Sequence, residues 1–76
     1  MADFDHLLDA SGLKCPLPVL RARKALANIA RGQVLKVIST DQGSLQDFEA
    51  FSRQTRTPLL SAGEQGGKFV FLLRKA

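Results

Sequence analysis

The sequence predicts an α/β protein, a two-layer α/β sandwich in which the chain order is βαβαββ and two helices cover one face of a four-stranded sheet. Three observations carry that reading. A helical apolar stripe follows Pro16, short alternating segments stand before and after it, and Gly66-Gly67 divides the C-terminal stretch into a hairpin. The 76 residues make one domain over 1–76. Such a chain buries only about 60 to 65% of its unfolded surface, so two layers are the ceiling.

Residues 4 to 10 alternate, with Leu8 and Ala10 on one face and Leu7 and Asp9 on the other, which predicts a first strand ended by Ser11-Gly12. His6 stands at its exposed start, where nothing nearby orients it as a base or ligand. Residues 16 to about 31 form the strongest helix. Val19, Ala22, Leu26, Ile29 and Ala30 make its apolar stripe, Arg21, Lys24, Asn28 and Arg31 its charged face, and Gly32 closes it as the residue after the cap. Residues 33 to 40 read as a second strand with Leu35 and Val37 facing the helices and Val34, Lys36 and Ile38 facing away; strand, helix and strand form a right-handed crossover unit. Ser44-Leu45-Gln46-Asp47 has the form of a capping box and opens a second helix over about 44–55, with Leu45, Phe48 and Ser52, and Phe51 beside them, turned inward. Asp41 reads as a turn former. Residues 57 to 64, with Pro58 at the start, suit an edge strand, and 68 to 75 form the last strand, Phe69, Phe71 and Leu73 inward and Val70 and Leu72 outward. Leu7, Val34, Ile38, Val70 and Leu72 have no third layer over them, which makes the outer sheet face a candidate for homodimerisation or partner docking.

Composition removes several classes of function. One cysteine cannot form an internal disulfide, and one cysteine with one histidine cannot build a structural zinc site, so neither a metal nor another cofactor is expected and a reducing, cytoplasmic setting suits the chain. The acidic N-terminus has no signal-peptide pattern, and the longest strongly apolar run, residues 69 to 73, is too short to span a bilayer. Eleven Lys and Arg against seven Asp and Glu give a net charge of +4, which favours acidic partners. Without Tyr or Trp, and with Phe at core positions, no base-stacking platform is visible, so direct nucleic-acid binding is not expected.

The stretch Gly12-Leu13-Lys14-Cys15-Pro16-Leu17-Pro18 carries the chemistry. Proline fits the first turn of a helix, so Pro16 is expected as the first helical residue, Cys15 as the N-cap and Pro18 as the third helical residue. The N–H of Leu17 is then the local donor to the Cys15 sulfur. That donor, the helix dipole and Lys14 all favour a thiolate, and such settings bring a thiol from about 8.5 to between about 3.5 and 7.5. Cys15 is therefore expected to be an exposed nucleophile, partly ionised at neutral pH. Lone cysteines are commonly buried small hydrophobes, but a Gly-Leu-Lys loop followed by two helix-starting prolines is a poor setting for a core position. Arg21 and Lys24, within two turns of the sulfur, are candidates for guiding an acidic partner to it.

The residues Leu8-Asp9-Ala10-x-Gly12-Leu13-x-Cys15-Pro16-x-Pro18-Val19, followed by Arg23-Lys24-Ala25-Leu26, resemble the TusA/SirA family of small sulfur-carrier proteins, with its CPxP motif. Length and element order agree over essentially the whole chain. The resemblance implies a mixed four-stranded sheet, as in the C-terminal domain of translation initiation factor three. It also implies that Cys15 receives sulfur as a persulfide, commonly from a cysteine desulfurase, and hands it to a downstream acceptor protein. Leu17 stands where the member serving transfer-RNA thiolation has an acidic residue, and Gln42 follows Asp41 where Asp-Pro is common; both bear on the choice of partner.

The residues fit that chemistry. A thiolate attacks a donor's outer sulfur, holds it and releases it to an acceptor by the displacement logic of thiol-disulfide exchange. Three positions after Cys15 stands Pro18, and no resolving thiol is present to make a thioredoxin-type oxidoreductase. In this scheme Cys15 is the covalent carrier of a sulfurtransferase acting as a relay protein, Pro16 and Pro18 fix the turn, Leu17 supplies its N–H, and Asp9 and Gly12 shape the loop. Lys14, Arg21 and Lys24 attract acidic partner surface or anionic sulfur species. The rivals are a non-catalytic RNA- or protein-binding regulatory module, motivated by the charge and the translation-factor-like fold, and a redox-sensing thiol.

Overall fold

The computed structural model describes residues 3–76. Strand β1 (His6–Ala10) leads to helix α1 (Leu17–Ala27), strand β2 (Val34–Ser39), helix α2 (Ser44–Thr55) and the hairpin strands β3 (Leu59–Gln65) and β4 (Lys68–Arg74). The sheet order is β1-β2-β4-β3. β1 runs parallel to β2, with Leu8 opposite Val37 and Ala10 opposite Ser39, while β4 is antiparallel to both β2 and β3. The expected βαβαββ order and mixed sheet are thus present, with β3 at an edge, where Pro58 costs no ladder bond.

Period-two alternation sets the core. Leu35 and Val37 on β2 and Phe71 and Leu73 on β4 all turn towards Ala22 and Leu26 of α1 and Phe48 and Phe51 of α2, and Ala10 joins them from β1. Phe48 stacks on Phe71 at 4.4 Å between ring centroids with 27° between planes. Both helices cover this one face. Gly66 and Gly67 have φ of 57° and 80°, the left-handed pair a tight hairpin turn requires, and they return the chain at Gln65 opposite Lys68.

Several boundaries differ from the sequence expectation, each for a local reason. β1 begins at His6 and not residue 4, because Asp5 serves as a clamp: its N–H donates to the Val34 carbonyl at 2.9 Å and its carboxylate accepts from the Val34 N–H at 2.8 Å. His6 is exposed and shares a 3.1 Å hydrogen bond with Gln33. α1 stops at Ala27, four residues short of Arg31. Asn28 caps it, its side-chain amide donating to the Lys24 carbonyl at 3.0 Å, so Gly32 is not the residue after the cap and Ala30 lies outside the helix. Gly32 instead pairs its N–H with the Lys75 carbonyl at 2.9 Å. β2, β3 and β4 occupy 34–39, 59–65 and 68–74, each within two residues of expectation.

The capping box at the start of α2 does not form. Gly43 is the N-cap, and no side chain caps the helix. Ser44 points into the interior, where its hydroxyl meets that of Ser39 at 2.5 Å with both residues buried. Leu45 consequently turns outward and is 38% exposed; Ser44, Phe48 and Phe51 are the buried residues of α2. The Ser39–Ser44 pair ties the end of β2 to the first turn of α2. Ser44→Ala is expected to lower stability by about 1–3 kcal/mol in urea unfolding, since it strips a buried hydroxyl of its main partner, whereas Ser39→Ala with Ser44→Ala should cost less than that single change.

On the outer face Val34, Ile38, Val70 and Leu72 are each half-buried, and the Lys36 ammonium lies 5.1 Å from the centre of the Phe4 ring. Leu7 is 55% exposed. This face is less bare than its sequence implies, because Phe4 and the Lys36 stem lean over it.

Candidate functional site

β1 and β2 are parallel neighbours, so the loops leaving their carboxyl ends emerge at the same sheet edge and deliver the starts of α1 and α2 to one place. Hydrogen bonds stitch the two loops together. The Gly12 N–H donates to the Thr40 hydroxyl at 2.8 Å, with Gly12 at φ 82°, and the Leu13 N–H donates to the Ala10 carbonyl at 3.2 Å. The Asp9 carboxylate accepts from the Ser11 N–H at 3.0 Å. The Ser11 hydroxyl beside it and this backbone donor hold the Asp9 carboxyl below its ordinary range, with Lys68 adding to the effect. That hydroxyl is buried and has no partner of full hydrogen-bond geometry among the described residues. Gly12 sits in the loop it was expected to shape, whereas Asp9 is the penultimate residue of β1 and reaches the loop through its bond from the Ser11 N–H.

Cys15 is exposed in the turn that follows. The Leu17 N–H donates to the Lys14 carbonyl at 2.8 Å, closing a turn whose two central residues are Cys15 and Pro16. The expected capping scheme is therefore displaced by one residue. Pro16, at φ −97° and ψ 18°, is the N-cap, Leu17 is the first helical residue, and Pro18, buried, is the second. Leu17 cannot donate to the sulfur, because its N–H is already committed to Lys14.

The partner of the sulfur comes from the other helix. Cys15 Sγ donates to Asp47 Oδ2 at 2.5 Å, across 32 residues of sequence. Gly43 lies beside this contact: a Cβ there would touch the Cys15 Cβ at an ordinary 3.7 Å, but would crowd Asp41 Oδ2 at 3.0 Å. Asp41 is the turn former it was expected to be, its carboxylate accepting from the Gly43 N–H at 2.9 Å and its carbonyl from the Ser44 N–H at 3.1 Å.

This arrangement reverses the expected ionisation. The Cys15 thiol is raised above its ordinary value, first by its hydrogen bond to Asp47, then by lost hydration and by the charges of Asp47 and Asp41. Both helices begin near the sulfur, but each helix start carries only about half a positive charge, and a full negative charge in direct contact outweighs them. Lys14, exposed and one residue away, does not offset it. Because the folded thiol holds its proton more tightly than an unfolded one, the contact stabilises the fold below the ordinary value and the benefit is lost as pH rises through the raised one. Alkylation by neutral iodoacetamide at pH 7 is accordingly expected to be slower in the folded protein than in urea; a faster native reaction would refute the raised thiol.

Arg21 and Lys24 are exposed on α1, about one and two turns beyond its first residue, Leu17, and with Leu8, Ala25 and Asn28 they line a shallow groove of about 580 Å³. A second groove, about 270 Å³, lies between Leu26, Phe51 and Lys75. Cys15 lines neither groove and is exposed at the end of the β1–α1 loop. Among the described residues no cluster of three or more His, Cys, Asp or Glu could hold a metal ion, and no helix is long and apolar enough to cross a membrane.

A family model described as "Sulfurtransferase TusA" matches residues 6–75. The chain belongs to the TusA family. It is 59% identical over 76 residues to the sulfur carrier protein TusA of Allochromatium vinosum, covering 100% of both chains, and 57% identical over 67 residues to a putative sulfur carrier protein of Neisseria meningitidis, covering 88% of this chain and 90% of that one. The crystal structure of a SirA-like protein from Desulfitobacterium hafniense superimposes with a TM-score of 0.82 at 28% identity, over 92% of this chain and 96% of that one. The TusA-family fold accounts for the shared edge at which both helices begin. The sequence places Asp47 in a capping box and carries no local signal of its contact with Cys15. The available signal was topological: parallel adjacent strands oblige the two helix starts to meet.

Proposed function

We propose that the protein is a sulfur carrier of the sulfurtransferase class: Cys15 accepts sulfane sulfur as a persulfide from a donor protein, a cysteine desulfurase being the leading candidate, and relays it to an acceptor protein. The observation that carries this is one free, exposed cysteine at the end of the β1–α1 loop of a TusA-family fold. A thiol so placed can enter a partner's cleft, and with no second cysteine in the chain the bound sulfur is not discharged as an internal disulfide. Pro16 and Pro18 hold the loop's exit into α1, Gly12 and Asp9 hold its entrance, and Arg21 and Lys24 offer positive charge on the flank for an acidic partner surface. Transfer-RNA thiolation, molybdenum-cofactor assembly and sulfur metabolism are the destinations such a relay would serve. The test is intact mass after incubation with a cysteine desulfurase and cysteine. A gain of one sulfur, reversed by reductant, is expected; no gain from desulfurase or any small persulfide would overturn the reading.

A further inference from the structure

We propose that Asp47 is a specificity-determining residue of the Cys15 site: it selects against anionic sulfur compounds and leaves the thiol to reactants that carry positive charge beside their sulfur. The inference rests on the carrier reading for its biological meaning, but its geometry stands alone. Asp47 Oδ2 is in hydrogen-bond contact with Sγ, so any sulfur that approaches Cys15 meets this carboxylate at close range. Asp47 is held firmly. Its neighbour Phe48 is fully buried and stacked on Phe71, and Ser44, one turn earlier, is pinned to Ser39, which fixes the rotation of α2.

The other charged groups around the sulfur are Asp41, from the β2–α2 loop, and Lys14, its chain neighbour. The Asp41 Oδ2 atom is occupied by the Gly43 N–H, whereas the side-chain hydrogen bond the Asp47 carboxylate makes among the described residues is to the thiol. The expectation that Lys14 draws anionic sulfur species to the site is therefore replaced by its opposite at contact range. In the resting protein the thiol keeps its proton and reacts slowly with polysulfide or glutathione-type persulfides, whose sulfane sulfur could otherwise pass to it by exchange. A cationic side chain next to a partner's persulfide pairs with Asp47, weakens its hold on the proton and brings the two sulfurs together. Transfer then proceeds with balance: the Cys15 Sγ–S bond forms as the donor's S–S bond breaks, the bond's electron pair leaves on the donor sulfur, and the proton lost from Cys15 passes through solvent to that sulfur, with no net oxidation.

Thiol-disulfide exchange with two small reagents tests this without the identity of the donor. Rates are measured with cystamine, a cationic disulfide, and dithiodiglycolate, an anionic one, and each is divided by the rate of the same reagent with the urea-unfolded protein. The thiolate fraction cancels in the ratio of the two reagents, so the ratio reports the local charge at Sγ. The folded protein is expected to favour cystamine by at least about fivefold at low salt, the factor a single charge at contact range supplies, with the preference shrinking as salt is added. Asp47→Asn should remove the preference or reverse it, since Lys14 and the net positive charge, raised by one from +4, then dominate, and Asp47→Glu should restore it. A folded wild-type protein that favours dithiodiglycolate, or a ratio unmoved in Asp47→Asn of normal circular dichroism, overturns the inference. Failure of the protein to gain sulfur would sink the carrier reading and leave this ratio untouched, so the two fail separately.

Discussion

Cys15→Ser is expected to gain no sulfur at all when incubated with a cysteine desulfurase and cysteine, under conditions in which the wild-type chain gains one atom. The effect is total because the chain holds no other thiol. Serine keeps the size of the side chain and can still donate to Asp47 Oδ2, so the loop and the start of α2 should stay in place and the urea midpoint should barely move. What is lost is the chemistry: a hydroxyl cannot ionise in this range or form a stable bond to sulfane sulfur. A Cys15→Ser protein that still acquires reducible sulfur would remove Cys15 from the role of carrier. The same variant tests the regulatory-module reading, since a partner that engages the protein without chemistry should bind Cys15→Ser as well as wild type.

Phe48→Ala is expected to produce the largest loss of stability of any single change considered. Phe48 is fully buried between the helix layer and the sheet, and truncating such a ring costs about 3–5 kcal/mol in lost burial and residual cavity. At about 0.05–0.15 kcal/mol per residue, a chain of 76 residues has roughly 4–11 kcal/mol in total, so about a quarter or more of its stability goes with this ring. Urea unfolding followed by circular dichroism should show the midpoint falling steeply. Phe48→Leu, which keeps most of the burial but loses the stack on Phe71, should cost less than half as much. A loss below about 1 kcal/mol for Phe48→Ala would mean that the two helices do not rest on this ring. Because Phe48 follows Asp47, its truncation should also loosen the carboxylate from Sγ and speed the alkylation of Cys15 in the fraction that remains folded.

These two residues show how unevenly the sequence reports on the molecule. Leu35, Val37, Phe71 and Leu73 were legible as core because β alternation is a local property, readable two residues at a time. The hairpin was legible because Gly66-Gly67 names its own turn. The prolines marked the start of α1 but misplaced it by one residue, since Lys14 offered the Leu17 N–H a carbonyl that no periodicity reveals. Ser44 and Asp47 had the spacing of a cap and perform no capping, because each found a better partner outside its own helix.

From the chain alone came the order of strands and helices, the inward faces and the identity of the one sulfur that can react. The state of that sulfur is a property of the assembled fold. Its ionisation follows from a carboxylate that lies 32 positions away in sequence and in contact in space, brought there by two parallel strands whose ends share an edge. Local pattern encodes which side chains turn inward; the field at a given atom depends on charges a few ångströms away, and only folding decides which charges those are.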